Sequence, residues 1–294
     1  MKKYFLLFVI FTRLESPVGL TNLGNTCYIN STLQCLFACR PFVELIQNLD
    51  SQGKFSAGTI GFEFKNLMLN HLISQGSFEP TTFIECISNN SLMGSLVVKS
   101  PQDAVEFFSN LINSLSAVDA RARELFHVSD NTQVFQPSEV VLNLPAVFNE
   151  DISLQNLVKK SFTRLIRAPK ILVMHPVRAH LEGKNMGIVS YDLEPIKIGS
   201  TAYKMIGVVF HYGTMTGGHY NAIVRKGDKW YICDDLLVQE FTEAKVIEYL
   251  KQKNLESYLF FFERIEKSSA QDLNDLFSQF KKSITALYMK ALVI

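Results

Sequence analysis

No CxxC pair occurs anywhere in this chain, and its five cysteines (Cys27, Cys35, Cys39, Cys86 and Cys233) are odd in number. The missing pairs argue against zinc-ribbon and thioredoxin-like sites. An odd count in 294 residues argues against a disulfide framework. Charge of one sign is not in excess either: 29 basic side chains stand against 28 acidic ones. No basic surplus points to nucleic acid, and no acidic surplus points to a solvating tail. Internal repeats and low-complexity linkers are missing. So is an apolar run long enough to span a bilayer. "MKKYFLLFVIF" has the two lysines and apolar stretch of a short signal segment, but "TRLESPVG" after it offers no small-x-small cleavage site. We read residues 1–16 as an apolar segment packed on the body, with no stable membrane insertion. Unpaired cysteines suit a reducing compartment, cytoplasmic or nuclear.

What is present is a large core: 47% hydrophobic residues, with 23 Phe and 10 Tyr. Residues 17 to 115 read as mostly helical. Asn25 or Thr26 is expected to cap a helix that runs to about Arg40, where Pro41 helps to end it; Ile29, Leu33, Leu36 and Phe37 form its stripe. "GTIGFEFKNLMLNHLIS" predicts a second helix packing through Phe62, Leu67, Leu69 and Leu72. "SPQDAVEFFSNLINSL" predicts another, with Ser100 as N-cap, Pro101 at its first position and Asp103 closing a capping box. After Leu125 the pattern turns to strands: "SEVVLNLP", "KILVMHPV", "VSYDLEPIKI", then a meander of "YKMIGVVFHYG", "GHYNAIVRKGDKWYICDD" and "SYLFFFERI". Residues 266–294 read as an amphipathic helix with Leu273, Leu276, Phe277, Phe280, Ile284, Leu287 and Leu292 on one side. Helices first and antiparallel strands after them argue an α+β fold.

Cys27 stands just behind a Gly/Asn/Thr-rich turn and at the start of a helix. There the macrodipole favours thiolate, although a small buried apolar residue is an equal reading. A nucleophile needs a base. Of six histidines, His219 alone follows "TGG" and opens a strand, where Gly217 and Gly218 let backbone run close to a substrate. A hairpin turn centred near Gly227 pairs residue 219 with 235 or, shifted by half a residue, with 234. One of Asp234 and Asp235 can therefore orient the imidazole, and spacing leaves open which. Asn22, in the turn before Cys27, offers an amide to a developing oxyanion, or simply holds the turn.

These residues lie in stretches that resemble the ubiquitin-specific proteases, papain-like cysteine peptidases that remove ubiquitin. "GLTNLGNTCYINSTLQCL" is similar to the family's cysteine box and "YKMIGVVFHYGTMTGGHYNAIVR…WYICDD" to its histidine box. "QDAVEFF", "EVVLNLP" and "PKILVMHPVR" resemble motifs between them, and the likeness spans roughly residues 17 to 264. The resemblance implies a papain-like fold of helical thumb and antiparallel β palm over residues 17–265. It implies Cys27 as nucleophile, His219 as base, Asp234 as its orienting acid with Asp235 in support, and Asn22 at the oxyanion. It implies that Gln102, Asp103 and Glu106, with Gly217 and Gly218, receive the arginine-bearing Gly-Gly tail of ubiquitin. No cofactor or metal is expected. Partners are ubiquitin or ubiquitinated proteins, with an activator able to dock on the C-terminal helix.

Two departures stand out. The zinc-binding fingers common in the family shrink to a few residues between "KKSF" and "APKILV", so short, zinc-free fingers are expected. The usual Leu-x-Arg-Phe after "LVMH" is replaced by "PVRA", ending at Ala179. They keep two alternatives in view: a catalytically weak ubiquitin-binding adaptor, and a peptidase for another ubiquitin-like modifier.

Overall fold

The computed structural model describes residues 16–74, 76–93, 100–130, 140–145, 149–161, 165–180, 183–214, 216–253 and 256–266. The N-terminal apolar segment, apart from Ser16, and the C-terminal helix predicted over 266–294, apart from Glu266, lie outside them.

Among the described residues helices come first: α1 (Cys27–Ala38), α2 (Arg40–Ser51), α3 (Ile60–Ile73), α4 (Thr81–Ser88) and α5 (Ala104–Val118), followed by a single turn at Arg121–Glu124. The expected stripe of α1 is real but too narrow, because every residue from Cys27 to Phe37 is buried. A helix buried on every side sits inside the domain rather than on it. It stops at Ala38, before Arg40, and Pro41 starts α2 rather than ending α1. A missing N–H costs nothing in a first helical turn. In α3 the inward side is Phe64, Leu67, Met68, His71 and Leu72, while Phe62 and Leu69 are only half-buried. The α5 cap differs too. Asp103, not Ser100, is the N-cap, accepting from the N–H groups of Val105 (2.6 Å) and Glu106 (3.1 Å). Of two cap-competent residues three apart, the one immediately before the apolar run Ala104, Phe107, Phe108, Leu111 prevails.

Among the described residues the rest builds chiefly an eight-stranded sheet, with three short two-stranded pairs beside it. β1 (Leu142–Leu144), α6 (Leu154–Ser161), β2 (Ile171–Pro176), β3 (Ile196–Ile198), β4 (Thr201–Thr214), β5 (Gly217–Lys226), β6 (Lys229–Asp234), β7 (Leu237–Phe241), α7 (Glu243–Gln252) and β8 (Ser257–Arg264) follow in chain order. The sheet order is β7-β6-β5-β4-β8-β2-β1, with β3 on the start of β4. All pairs are antiparallel except β1 with β2. "VSYDLEPIKI" breaks into Val189–Ser190 and β3, since the Asp-Leu-Glu-Pro stretch between them cannot continue a ladder.

The sheet is buried on both faces at its centre. Val173, Val209, Ala222, Leu259 and Phe261 join the helical core with α1 to α5, while Leu172, Val208, Phe210, Phe260 and Phe262 pack with α6 and α7. That is why "LFFF" carries no alternation. A chain of edge-on rings, Phe42 to Phe126 (5.5 Å), Phe126 to Phe108 (5.3 Å) and Phe108 to Phe261 (5.5 Å), ties helices to sheet. α1 lies against β4 so closely that a Cβ on Gly207 would meet Cys35 Sγ at 2.9 Å. Among the described residues no helix is long and apolar enough to cross a membrane.

Candidate active site

The turn before α1 is organised by one side chain. Asn22 Oδ1 accepts from the N–H groups of Gly24 (3.0 Å) and Thr26 (3.1 Å), and Thr26 Oγ1 accepts from Leu23 N–H (2.9 Å). Thr26 holds the N-cap position with no side-chain cap, and Asn25 takes a left-handed φ of +57°. This delivers Cys27 as the first helical residue, 6% exposed. Two effects oppose each other there. The helix start favours thiolate, but its contribution near a terminus is typically 0.3–1 kcal/mol. Burial pushes the thiol above its ordinary value, the backbone N–H of Tyr220 holds it back in part, and the charge of Asp235 raises it further. Burial and the Asp235 charge thus favour the protonated thiol.

β5 and β6 bring the second half of the site. Lys226 pairs with Lys229 across a two-residue turn, Gly227 and Asp228, with Gly227 at φ +59°. The ladder ends at Ala222 opposite Cys233. Continued, this register sets Asn221, not His219, opposite Asp234, so neither pairing expected from a Gly227-centred turn occurs. His219 and Asn221 still share one strand face, being two residues apart. From there His219 Nε2 reaches diagonally to Asp234 Oδ1 at 2.6 Å, and Asn221 Nδ2 lies 3.4 Å from Asp234 Oδ2. Both partners are about two-fifths exposed, at 42% and 39%. The bond engages Nε2 and leaves Nδ1 as the other ring nitrogen. Among the described residues no hydrogen bond joins Cys27 to His219.

Asp235 turns the other way, at a left-handed φ of +49°. Its Oδ2 accepts from Asn22 Nδ2 (2.9 Å) and its Oδ1 from Asn30 Nδ2 (2.8 Å). The two acids thus divide the work: Asp234 holds the imidazole and Asp235 holds the amide before Cys27. With His219 they offer ligand atoms within 4.8 Å of one another. Each acid already has its own hydrogen-bond partners, so a cation would have to compete with the imidazole and the amides.

A 420 Å³ cleft leads away from Cys27 and brings together Gln102, Asp103, Glu106, Gly217 and Gly218, with Tyr28, His211, Tyr220 and Tyr258. Asp103 is fully engaged: one oxygen caps α5 and the other accepts the Tyr258 hydroxyl. Glu106, exposed one turn further on, is the cleft's other carboxylate, and Arg178 and Lys184 line it as well. Gly218 faces Gly213 across β4 and β5, where an added Cβ would meet Tyr212 O at 2.0 Å. It is needed for close backbone approach within a ladder, and Gly217 pairs beside it with Thr214. The Tyr28 hydroxyl, buried in this wall, has no hydrogen-bond partner among the described residues.

Several residues of the site were not singled out in the sequence. Asn30 and Gln34, buried on α1, donate to Leu20 O (3.2 Å) and Val18 O (2.6 Å), and His71 completes the clasp on Val18. The available signal was two amides spaced i, i+4 inside an otherwise apolar helix. Arg178, 2% exposed, donates to Ser257 O and Gly187 O. Cys35 and Cys39 are fully buried, and all five cysteines are unpaired.

A family profile described as ubiquitin carboxyl-terminal hydrolase matches residues 18–262. Probable ubiquitin carboxyl-terminal hydrolase 4 of Schizosaccharomyces pombe is 37% identical over 109 residues, 34% of this chain and 18% of that protein. Ubiquitin carboxyl-terminal hydrolase 46 of Caenorhabditis elegans is 39% identical over 113 residues, 35% and 25% of the two chains. The match thus spans a quarter or less of these relatives' length. Ubiquitin carboxyl-terminal hydrolase 12 of Salmo salar is 24% identical across 85% of this chain and 90% of its own. Among solved structures, the SAGA Ubp8/Sgf11/Sus1/Sgf73 DUB module bound to ubiquitin aldehyde is similar in fold. Its TM-score is 0.67 over 87% of this chain and 71% of that one, at 18% identity.

Proposed function

The chain belongs to the ubiquitin carboxyl-terminal hydrolase family, and on that premise we propose that it is a thiol-dependent deubiquitinase. It hydrolyses the isopeptide or peptide bond after the C-terminal glycine of ubiquitin. One observation carries the reading: a cysteine at a buried helix start lines a cleft with Asp103, Glu106, Gly217 and Gly218, and the next strand residue, His219, makes a 2.6 Å pair with Asp234.

The chemistry follows from the roles these groups can fill. His219 takes the thiol proton as Cys27 attacks the carbonyl of the terminal glycine, and Asp234 stabilises the imidazolium. Asn22 uses one amide hydrogen on Asp235, which leaves the other for the oxyanion beside the N–H groups of the helix start. His219 then protonates the departing lysine amine and afterwards activates water against the thioester. The glycine tail suits the narrow stretch at Gly217 and Gly218. Glu106 is the carboxylate best exposed for the tail's arginines. Ubiquitin or ubiquitinated proteins are the partners of this reading, and it calls for no cofactor. A reducing compartment, cytoplasm or nucleus, fits a nucleophile that must stay unoxidised.

The test is covalent labelling by ubiquitin carrying a C-terminal electrophile, with a ubiquitin-like protein probe alongside. The expected result is labelling by ubiquitin that disappears in Cys27→Ala. Labelling by the other probe alone would change the modifier. No labelling of folded protein would favour the adaptor reading, which the unlinked thiol and imidazole of the resting site keep as the second choice.

A further inference from the structure

β4 outruns its neighbour. Its last pairing with β8 is Phe210 with Ser257, whereas its pairing with β5 continues through His211, Tyr212 and Gly213 to Thr214 opposite Gly217. From His211 to Thr214 the outer edge of β4 has no strand beside it among the described residues. Backbone groups on such an edge still need partners. Glu256 O accepts from His211 N–H at 2.7 Å. The carbonyls of His211 and Gly213, two residues apart and so on the same edge, both accept from one ammonium: Lys184 Nζ, at 3.0 and 2.9 Å.

Lys184 stands on a fixed base. Gly183–Lys184 pairs with Ala179–His180, and Asn185 N–H ties the two ends of that short ladder by donating to Arg178 O at 2.7 Å. Arg178 and Asn185 are both 2% exposed. Asn185 Oδ1 accepts from the N–H groups of Asn149 (3.0 Å) and Gly187 (2.9 Å), and Arg178 donates to Ser257 O (3.2 Å) and Gly187 O (2.6 Å). What the ammonium grips is a wall of the cleft. Lys184 and His211 line it with Gly217 and Gly218, and a Cβ on Gly218 would meet His211 Nε2 at 2.7 Å. His219 follows directly and is held from its other side by Asp234.

We propose that Lys184 is a positioning residue for the glycine tail: by taking both edge carbonyls of β4, it fixes the strand end against which the tail lies. This rests on the deubiquitinase reading. Direct contact of the ammonium with the tail is the rival role, and it predicts the opposite sign. A lysine facing an arginine-bearing tail repels it, so removing the charge would tighten binding. Two of the three ammonium hydrogens are instead committed to main-chain oxygens, so removing them loosens the wall. His219 keeps its own hold on Asp234, and the loss therefore falls on substrate binding rather than on the chemical step.

The experiment follows hydrolysis of ubiquitin carrying a small fluorogenic amide leaving group by the full chain, as wild type, Lys184→Met and Lys184→Arg. Active sites are counted by exhaustive labelling with electrophilic ubiquitin, so that misfolded protein does not enter the rates. Lys184→Met should raise KM about tenfold, the scale of one hydrogen bond to a charged group, and leave kcat nearly unchanged. Lys184→Arg, which keeps the charge and the donors, should recover most of the KM. Backbone amide exchange at Gly213, Thr214, Gly217 and Gly218 should quicken in Lys184→Met, a readout independent of turnover. A KM for Lys184→Met equal to or below that of wild type would overturn the inference, as would a loss confined to kcat or unchanged exchange. Wild type that hydrolyses no ubiquitin amide would overturn the deubiquitinase reading, and this inference with it.

Discussion

Asp234 and Asp235 are chain neighbours with different obligations, and the difference is measurable. Asp234 faces His219, while Asp235 faces two amides and adds negative potential to Cys27. Alkylation of the free protein by iodoacetamide should therefore rise with pH to a midpoint above the ordinary thiol value of 9.0. Asp235→Asn should move that midpoint down by removing the charge. A rate already flat from pH 6 upward would mean that a thiolate–imidazolium pair stands ready before substrate arrives, against this account. At this scale sequence was informative about identity and silent about parity. Histidine after "TGG" and the acid pair after "WYIC" could be picked out. Which acid served which partner depended on a turn centred half a residue beyond Gly227 and on a left-handed φ at Asp235.

At the scale of the element, α5 is held at its start by a single carboxylate that also takes the Tyr258 hydroxyl. Removing it costs a cap, about 1 kcal/mol, and leaves a mostly buried phenol without that acceptor, a further 1–3 kcal/mol or so. Asp103→Ala should therefore lower the urea midpoint, with Asp103→Asn recovering part of it. Equal stability of Asp103→Ala and wild type would show that the cap is dispensable. Helix existence was legible here because apolar spacing repeats at 3.6 residues over Ala104, Phe107, Phe108 and Leu111. The cap was not, because Ser100 and Asp103 are both good caps and local propensity cannot rank them. In α1 the amides Asn30 and Gln34 clasp a segment 10 and 16 residues away, contacts no local pattern encodes.

For the whole molecule, the relevant quantity is the charge it buries. Burial lowers His71 well below its ordinary value and lowers His175, and it brings His211 down to about 4, with Lys184 adding to the effect. In each case the unfolded chain binds protons more readily than the folded one. Their stability contribution is therefore present above about pH 6.5 and is lost as pH falls towards the folded values. For His211 alone the loss between pH 7 and pH 5 is about 2 kcal/mol, so unfolding midpoints in urea should drop clearly across that interval. Midpoints independent of pH would mean these imidazoles are solvated in the native state. The amino-acid sequence by itself determined the order of helices before strands and the apolar spacing of each. It also singled out one cysteine, one histidine and two acids as candidates for chemistry, because periodicity and turn chemistry are local properties of a chain. Tertiary structure alone decided that both sheet faces are buried, that Asp103 is spent on a cap and a tyrosine, and that Asp234 and Asp235 part company. It also decided that Leu236 and Leu237 stand exposed next to Asp234 and Asp235. Each of these depends on register or on contacts between distant segments, where a shift of one residue turns a side chain to the opposite face.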